Sequence, residues 1–260
     1  MTADGLKAGR ASPAAPFTIV IPTLQRSPLL RELVNRLTSA PLVHEVVIIN
    51  NASTRLDMGL PRSRVLDMAS NIYVNPAWNL GADQARSPFI ALCNDDILFD
   101  TRILDRVASR LRKGAGIIGP APACVRDVDA PAPRLRRHPI FVPVYERPFA
   151  FGTLMFLERD SYVPIPDDLK VWRGDDYLFR RQTRRNFIML GIDIQTHMST
   201  TSSDKAFDSV KVADMNAFHE HHRADPYRVK FARASRADSA VRRTARRARR
   251  VARLATRSHA

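Results

Sequence analysis

The 260-residue sequence predicts one α/β domain: a central, mostly parallel sheet flanked by helices, followed by a basic helical tail. Three observations predict it. Short apolar, β-branched runs alternate with stretches of helical spacing, which is the pattern of right-handed βαβ units. Several of those runs end in small polar residues, as strands do when their carboxyl ends open on a crevice. At 45% apolar and 26% charged residues, the chain has the composition of a globular protein and length for one large core.

The elements follow in order. Phe17–Ile21 is an apolar run stopped by Pro22, and reads as a buried strand ending in a loop. Ser27 and Pro28 supply an N-cap and a first-turn proline for a helix carrying Leu29, Leu30, Leu33, Val34 and Leu37. Val46–Ile49 is a second buried strand, with the polar loop Asn50–Ser53 at its end. Asn71–Asn75 reads as a short third strand, Trp78–Arg86 as a helix and Phe89–Cys93 as another buried strand. Thr101–Arg112 has helical spacing through Ile103, Leu104, Val107 and Leu111, and Gly116–Gly119 closes the first half. Prolines and arginines dominate from Pro120 to Pro148, which reads as a long loop. Phe149–Leu157 is the next strand, Asp175–Arg185 a helix and Phe187–Thr196 strand-like. The divisions are a flexible N-terminus over 1–16, a body over 17–222 and an Arg-rich tail over 223–260.

The net charge of +15 is unevenly placed. From Arg223 onward there are thirteen Lys/Arg and two Asp, a net +11, which leaves +4 on the preceding 222 residues. The body is therefore only mildly basic, and charge gives little support to nucleic-acid binding by it. Two cysteines, Cys93 and Cys124, make no disulfide framework and match no zinc module, which points to a reducing cytoplasm. Met1 to Pro16 contains no apolar run, and no stretch approaches the length of a membrane span.

The carboxyl ends of the expected strands gather Pro22, Thr23, Asn50, Asn51, Asn75 and the Asn94-Asp95-Asp96 turn at one edge. Two adjacent carboxylates after an apolar strand must sit at a polar mouth or bear a desolvation cost. A hard divalent cation such as Mg²⁺ or Mn²⁺ takes few carboxylates, several waters and phosphate oxygens, and would stabilise a pyrophosphate leaving group. The plainer alternative is that Asp95 or Asp96 caps a following helix. A second acidic pair, Asp175-Asp176, opens a helix after Trp172-Arg173-Gly174. It reads either as helix-dipole capping or as a general base for an acceptor hydroxyl.

The blocks Ile19-Val-Ile-Pro-Thr23, Val47-Ile-Ile-Asn-Asn-Ala-Ser53, Asn79-Leu-Gly-Ala82, Ala91-Leu-Cys-Asn-Asp-Asp96 and Gly174-Asp-Asp-Tyr-Leu178, in this order and spacing, resemble family 2 glycosyltransferases of the GT-A fold. The likeness spans roughly Phe17 to Thr201. It implies that Thr23 and the Asn50-Asn51 loop contact the nucleotide of a diphosphate sugar, of UDP, GDP or dTDP type. Pro22, Asn75 and Trp78 would join them as nucleotide-sugar-binding residues, and Asn79 and Gly81 would border the nucleotide. Asp95 lies near the ribose. Asp96 holds the metal, with Asn94 and His197 as further candidates. Asp176 matches the base of inverting members and Asp175 its acidic neighbour. The acceptor would be a glycan or a lipid-linked glycan. Departures are Asn50 and Asn51 where an acid is usual, Trp78 where a basic residue is common, and Asn94 in place of an acid.

His219, His221 and His222 read as a polar, mostly solvated segment rather than a zinc site. In the tail, six arginines from Arg242 to Arg250 accompany a thin stripe of Val241, Ala245, Ala248, Val251, Ala252 and Leu254. Because the stripe is mostly alanine and its burial weak, a solvated basic tail is the first reading. A surface helix drawn to anionic lipid at the inner face of the membrane and nucleic-acid binding are the alternatives. The enzyme reading competes with a non-catalytic module of the same fold, acting through the tail. The two acidic pairs favour the enzyme, since a polyanion binder gains nothing from carboxylates in its crevice.

Overall fold

The computed structural model describes residues 15–196, 207–221 and 225–240. The chain alternates as expected through its first half. Strand β1 (Phe17–Thr23) leads into α1 (Leu30–Ser39), β2 (Val43–Asn50), β3 (Ser63–Asp67), α2 (Val74–Asp83) and β4 (Phe89–Cys93). Then come β5 (Ile97–Phe99), α3 (Ile103–Arg112), β6 (Ile118–Pro120), β7 (Val125–Arg126), β8 (Leu135–Val144) and β9 (Leu154–Glu158). Helix α4 (Gly174–Arg181), β10 (Asn186–Ile192), β11 (Ile194–Thr196), α5 (Asp208–His221) and α6 (Pro226–Lys230) complete it.

Eight strands form one sheet in the order β3-β2-β1-β4-β9-β6-β10-β8. The β3-β2-β1-β4 half is wholly parallel. Beyond it β9 runs antiparallel to both β4 and β6, β10 is parallel to β6, and β8 closes the edge antiparallel to β10. The carboxyl ends of β1, β2, β4, β6 and β10 therefore share one edge. A small second sheet, β5-β11-β7, is attached where the chain leaves β4.

Both faces are covered, so the central strands are apolar throughout instead of alternating. One buried cluster joins the sheet to α1 and α3 through Leu33, Val34, Leu37, Leu104, Val107 and Leu111. The other joins it to α2, α4, α5 and α6 through Trp78, Leu178, Phe179, Phe218 and Tyr227. Helix α2 lies directly on β1: a Cβ on Gly81 would stand 2.1 Å from Cγ1 of Val20. The packed body also continues past the expected division at residue 223, since Tyr227 is 1% exposed within the second cluster.

Several local expectations are corrected. The third strand is Ser63–Asp67 rather than Asn71–Asn75. As a half-exposed edge strand of mixed composition, it carries no apolar run to signal it. The Asn71–Asn75 stretch is turned instead: the Asn71 side chain accepts from the N–H of Tyr73 (2.8 Å), Tyr73 has φ +69°, and helix α2 begins at Val74, earlier than Trp78. The Pro/Arg segment contains β8, ten residues long, with Pro139 and Pro143 tolerated because it is an edge strand. Phe151–Thr153 is a 3₁₀ turn ahead of β9, and Phe187–Thr196 is two strands separated at Asp193, the first with a register irregularity at Gly191 (φ +84°).

Candidate active site

The carboxyl ends of β1, β2 and β4 open on a cleft lined by Pro22, Thr23, Asn51, Tyr73, Asp95 and Asp96, with Val171 and Phe207 on its far side. Asp95 and Asp96 follow the last residue of β4 and are half-buried. The Thr23 hydroxyl donates to Oδ2 of Asp95 at 2.5 Å, joining the ends of β1 and β4. Burial pushes the Asp95 carboxyl up to about 6; the Thr23 hydrogen bond opposes this and the charge of Asp96 adds to it. The chain after Asp96 is strand β5, so neither acid caps a helix there. The pair is left facing the cleft.

A second charged group forms at the start of α4. Oδ1 of Asp176 lies 2.8 Å from Nε of Arg147, and its Oδ2 2.9 Å from an Arg173 terminal nitrogen. Oδ2 of Asp175 lies 3.0 Å from a terminal nitrogen of Arg147. Burial raises both carboxyls, yet the environments push them apart. For Asp176 the guanidiniums of Arg147 and Arg173 more than offset burial and hold it below the usual range. For Asp175 burial dominates, reinforced by the Asp176 charge, and its carboxyl is raised. Of the two, Asp176 is the one whose surroundings favour the ionised form more strongly. Both acids also lie in the first turn of α4, where the helix dipole favours them.

The two acidic pairs flank one turn. The N–H of Asn94 donates to the carbonyl of Thr153 (3.0 Å), and a Cβ on Gly152 would stand 2.5 Å from Oδ2 of Asp175. Phe151–Thr153 thus spans from the Asp95-Asp96 turn to α4 with no room for a larger residue at its centre.

Of the residues singled out in the sequence, Pro22, Thr23, Asn51, Asp95 and Asp96 line the cleft. Asn50, Asn75, Trp78, Asn79 and Gly81 are not among its lining residues. Asn50 is fully buried and holds its own loop: its Nδ2 donates to the Thr54 carbonyl (2.8 Å) and to Asp67 (2.7 Å), and its Oδ1 accepts from Gln25 and the N–H of Ala52. Asp67 on β3 thus holds the Asn50 side chain and does not itself line the cleft. Asn75 donates to the carbonyls of Leu169 and Trp172, Asn79 binds the 162–165 segment, and Trp78 lies in the core. Asn75, Asn79 and Gly81 thereby fix α2 against β1 and against the segment that leads to α4. His197 lies outside the described residues. His219 and His221 are exposed on α5, with His221 paired to Asp168.

Sequence reasoning missed Tyr73, Arg147 and Phe207. Tyr73 was hidden in a stretch with strand-like residues, Arg147 in a Pro/Arg segment with many equivalent arginines, and Phe207 follows no motif. Among the described residues no cluster of three or more His, Cys, Asp or Glu could hold a metal ion. The available donors in the cleft are the two oxygen ligands Asp95 and Asp96, a set suited to Mg²⁺ or Mn²⁺ only when phosphate oxygens and water complete it. No helix among the described residues is long and apolar enough to cross a membrane.

No curated protein matches the chain. Among solved structures, S. aureus TarS 1-349 is similar over 83% of this chain and 75% of its own, at 12% identity and TM-score 0.53. Its complex with UDP matches over the same shares at 14% identity and TM-score 0.53. The complex with UDP-GlcNAc matches over 78% and 66%, again at 14% identity and TM-score 0.53. At such identities the likeness concerns the fold. The model of "Glycosyl transferase family 2" matches residues 18–167, which run from the second residue of β1 past β9 and include the Asp95-Asp96 turn, and the chain belongs to that family.

Proposed function

We propose that the chain is an inverting glycosyltransferase that moves a sugar from a nucleotide diphosphate to an acceptor hydroxyl on a glycan or lipid-linked glycan, with Asp176 as general base. The observation that carries this reading is the pair of acidic sites on one sheet edge, one lining a cleft and one held between two arginines. Asn51, Tyr73, Asp95 and Asp96 line the cleft; in this reading Asn51 and Tyr73 contact the nucleotide, Asp95 lies near its ribose and Asp96 near its diphosphate. Asp96 and Asp95 would hold a divalent cation there, with the diphosphate oxygens completing its shell; when bound, it supplies charge neutralisation to the leaving group. A nucleotide-sugar donor is supported by the complexes of S. aureus TarS, a protein of similar fold, with UDP and with UDP-GlcNAc.

Asp176 takes the acceptor proton. Each of its oxygens has one arginine partner, and a carboxylate oxygen keeps a second lone pair for a hydroxyl. As the proton moves to Asp176, the acceptor oxygen attacks the anomeric carbon from the face opposite the nucleotide, which leaves with the bonding pair. The configuration inverts. Arg147 and Arg173 orient the carboxylate throughout, and positioning supplies most of the acceleration.

Residues 17–222 make up the transferase body with the docked α6 added, and the Arg-rich tail is an attachment to an anionic membrane surface from the cytoplasmic side. Calorimetric titration with UDP, GDP and dTDP, each with Mn²⁺ and with EDTA, tests the whole reading. Metal-dependent binding of one nucleotide, abolished in Asp96→Ala, is the expected result. A folded protein that binds none of them is a non-catalytic module of the same fold.

A further inference from the structure

Asp214, on α5, has no solvent exposure, and its carboxylate is occupied by three consecutive backbone donors. Oδ1 accepts from the N–H of Lys170 (2.8 Å), and Oδ2 accepts from those of Val171 (2.8 Å) and Trp172 (2.7 Å). A carboxylate this deeply buried is tolerated because its partners are short, charge-assisted hydrogen bonds. The rest of α5 offers little to hold it: only Asp214 and Phe218 of its fourteen residues are buried. The helix is seated by a polar clamp rather than by an apolar stripe.

The clamped backbone ends at Arg173, which has φ +67°, a left-handed conformation that a residue with a side chain adopts only where its surroundings impose it. From that conformation Arg173 reaches Asp176 at 2.9 Å. On its other side Nε of Arg173 approaches Sδ of Met215 at 3.0 Å, and its guanidinium carbon stands 5.4 Å from the centre of the Phe218 ring. Helix α5 therefore grips both the backbone leading to Arg173 and the side chain of Arg173 itself.

We propose that Asp214 is a positioning residue for the transfer reaction: it locks residues 170–173 so that Arg173 meets Asp176, making α5 part of the active centre. The proposal takes its functional meaning from Asp176 as the base. Asp214, like Arg173 and Asp176, lies beyond residues 18–167, the stretch that the family model matches. The same lock places Val171, which lines the nucleotide cleft, and the Trp172 carbonyl that accepts from Asn75. One carboxylate thus sets the nucleotide wall and the base together.

The charged groups facing Asp176 are Arg147, Arg173 and Asp175; α5 approaches Arg173 with the uncharged Met215 and Phe218. Carboxyl-carbon NMR titration of the full chain reads the lock directly, the Asp176 signal being assigned by its loss in Asp176→Asn. Asp214→Asn turns one acceptor into a donor facing an N–H, and should raise the Asp176 midpoint by about half a unit or more, roughly threefold in proton affinity. Met215→Ala, which leaves the buried carboxylate alone, should shift it the same way and serves if Asp214→Asn fails to fold. An unchanged midpoint in the folded variants overturns the proposal. Nucleotide binding by the wild type is measured separately. If it is absent, the transferase reading falls, while the NMR result still decides whether Asp214 sets the Arg173–Asp176 pair.

Discussion

Thr23 and Asp95, 72 residues apart in the chain, are joined by a 2.5 Å hydrogen bond across the mouth of the cleft. It is the contact that ties the end of β1 to the acidic turn after β4. Without it, burial and the Asp96 charge would raise the Asp95 carboxyl further than about 6.

The first prediction concerns pH. The native carboxyl of Asp95 lies above its unfolded value, so the native state holds the extra proton. The associated stability is complete below about pH 4 and is lost as the pH rises through about 6. A shift of about two units corresponds to at most about 3 kcal/mol. In chemical denaturation across pH 4 to 7, Asp95→Asn should remove this loss, so that its stability relative to wild type improves with pH. Thr23→Val should instead move the loss to higher pH. A wild type and Asp95→Asn that track each other over the whole range would show that Asp95 is not the buried, proton-holding group.

The second prediction concerns the base. Asp176→Asn keeps the shape of the side chain and removes its ability to take a proton. Transfer should fall by about 10²- to 10⁴-fold, the usual contribution of a positioned general base. Nucleotide affinity should change little, because Asp176 is not among the residues lining the cleft. Asp175→Asn should cost less, since its carboxyl is already biased toward the protonated form by burial. Kinetics paired with calorimetry check this; equal losses in the two variants would reverse or merge the assigned roles.

Much of this site was legible because it sits where periodic sequence stops. Thr23, Asn51, Asp95 and Asp96 each follow an apolar run that could only be a buried strand, and the topology then brings the ends together. Asn79 and Gly81 were legible as positions but not as roles. Their work is steric and hydrogen-bonded support of a helix, which spacing alone does not separate from ligand contact. Arg147, Arg173 and Asp214 were not read as a network, because their partners lie across tertiary contacts 29 and 42 to 44 residues away or depend on a left-handed backbone at Arg173. β3 was missed for a simpler reason: an edge strand needs only one covered face.

The third prediction tests the contact beneath α4. A Cβ at Gly174 would stand 2.0 Å from Oδ1 of Asn75, whose amide nitrogen is committed to the carbonyls of Leu169 and Trp172. Asn75 cannot withdraw without surrendering those bonds. Gly174→Ala should therefore destabilise the fold by roughly 1–3 kcal/mol, the usual scale for forced overpacking. The double variant Asn75→Ala, Gly174→Ala should cost less than the sum of the two single ones, since the clash disappears with the amide. Strict additivity in denaturant unfolding would mean that the two positions do not press on each other.

The last prediction concerns how far the body extends. Tyr227 on α6 is 1% exposed; its hydroxyl donates to the Val144 carbonyl at 2.5 Å and accepts from the N–H of Asn186 at 3.0 Å. These groups end β8 and begin β10, so the phenol closes the sheet at its amino edge. Its ring packs on Phe179 of α4 with centroids 5.1 Å apart and on Phe231 at 4.8 Å. Tyr227→Phe should cost about 1–3 kcal/mol, because two buried backbone groups lose their partner. Tyr227→Ala should cost roughly 3–5 kcal/mol. A chain ending at residue 222 should be destabilised at least as much as Tyr227→Ala, whereas one ending at residue 240 should unfold like the full chain. If the chain ending at 222 melted with the full-length protein, α6 would be an ornament on the body, and the division between transferase and tail would return to residue 223.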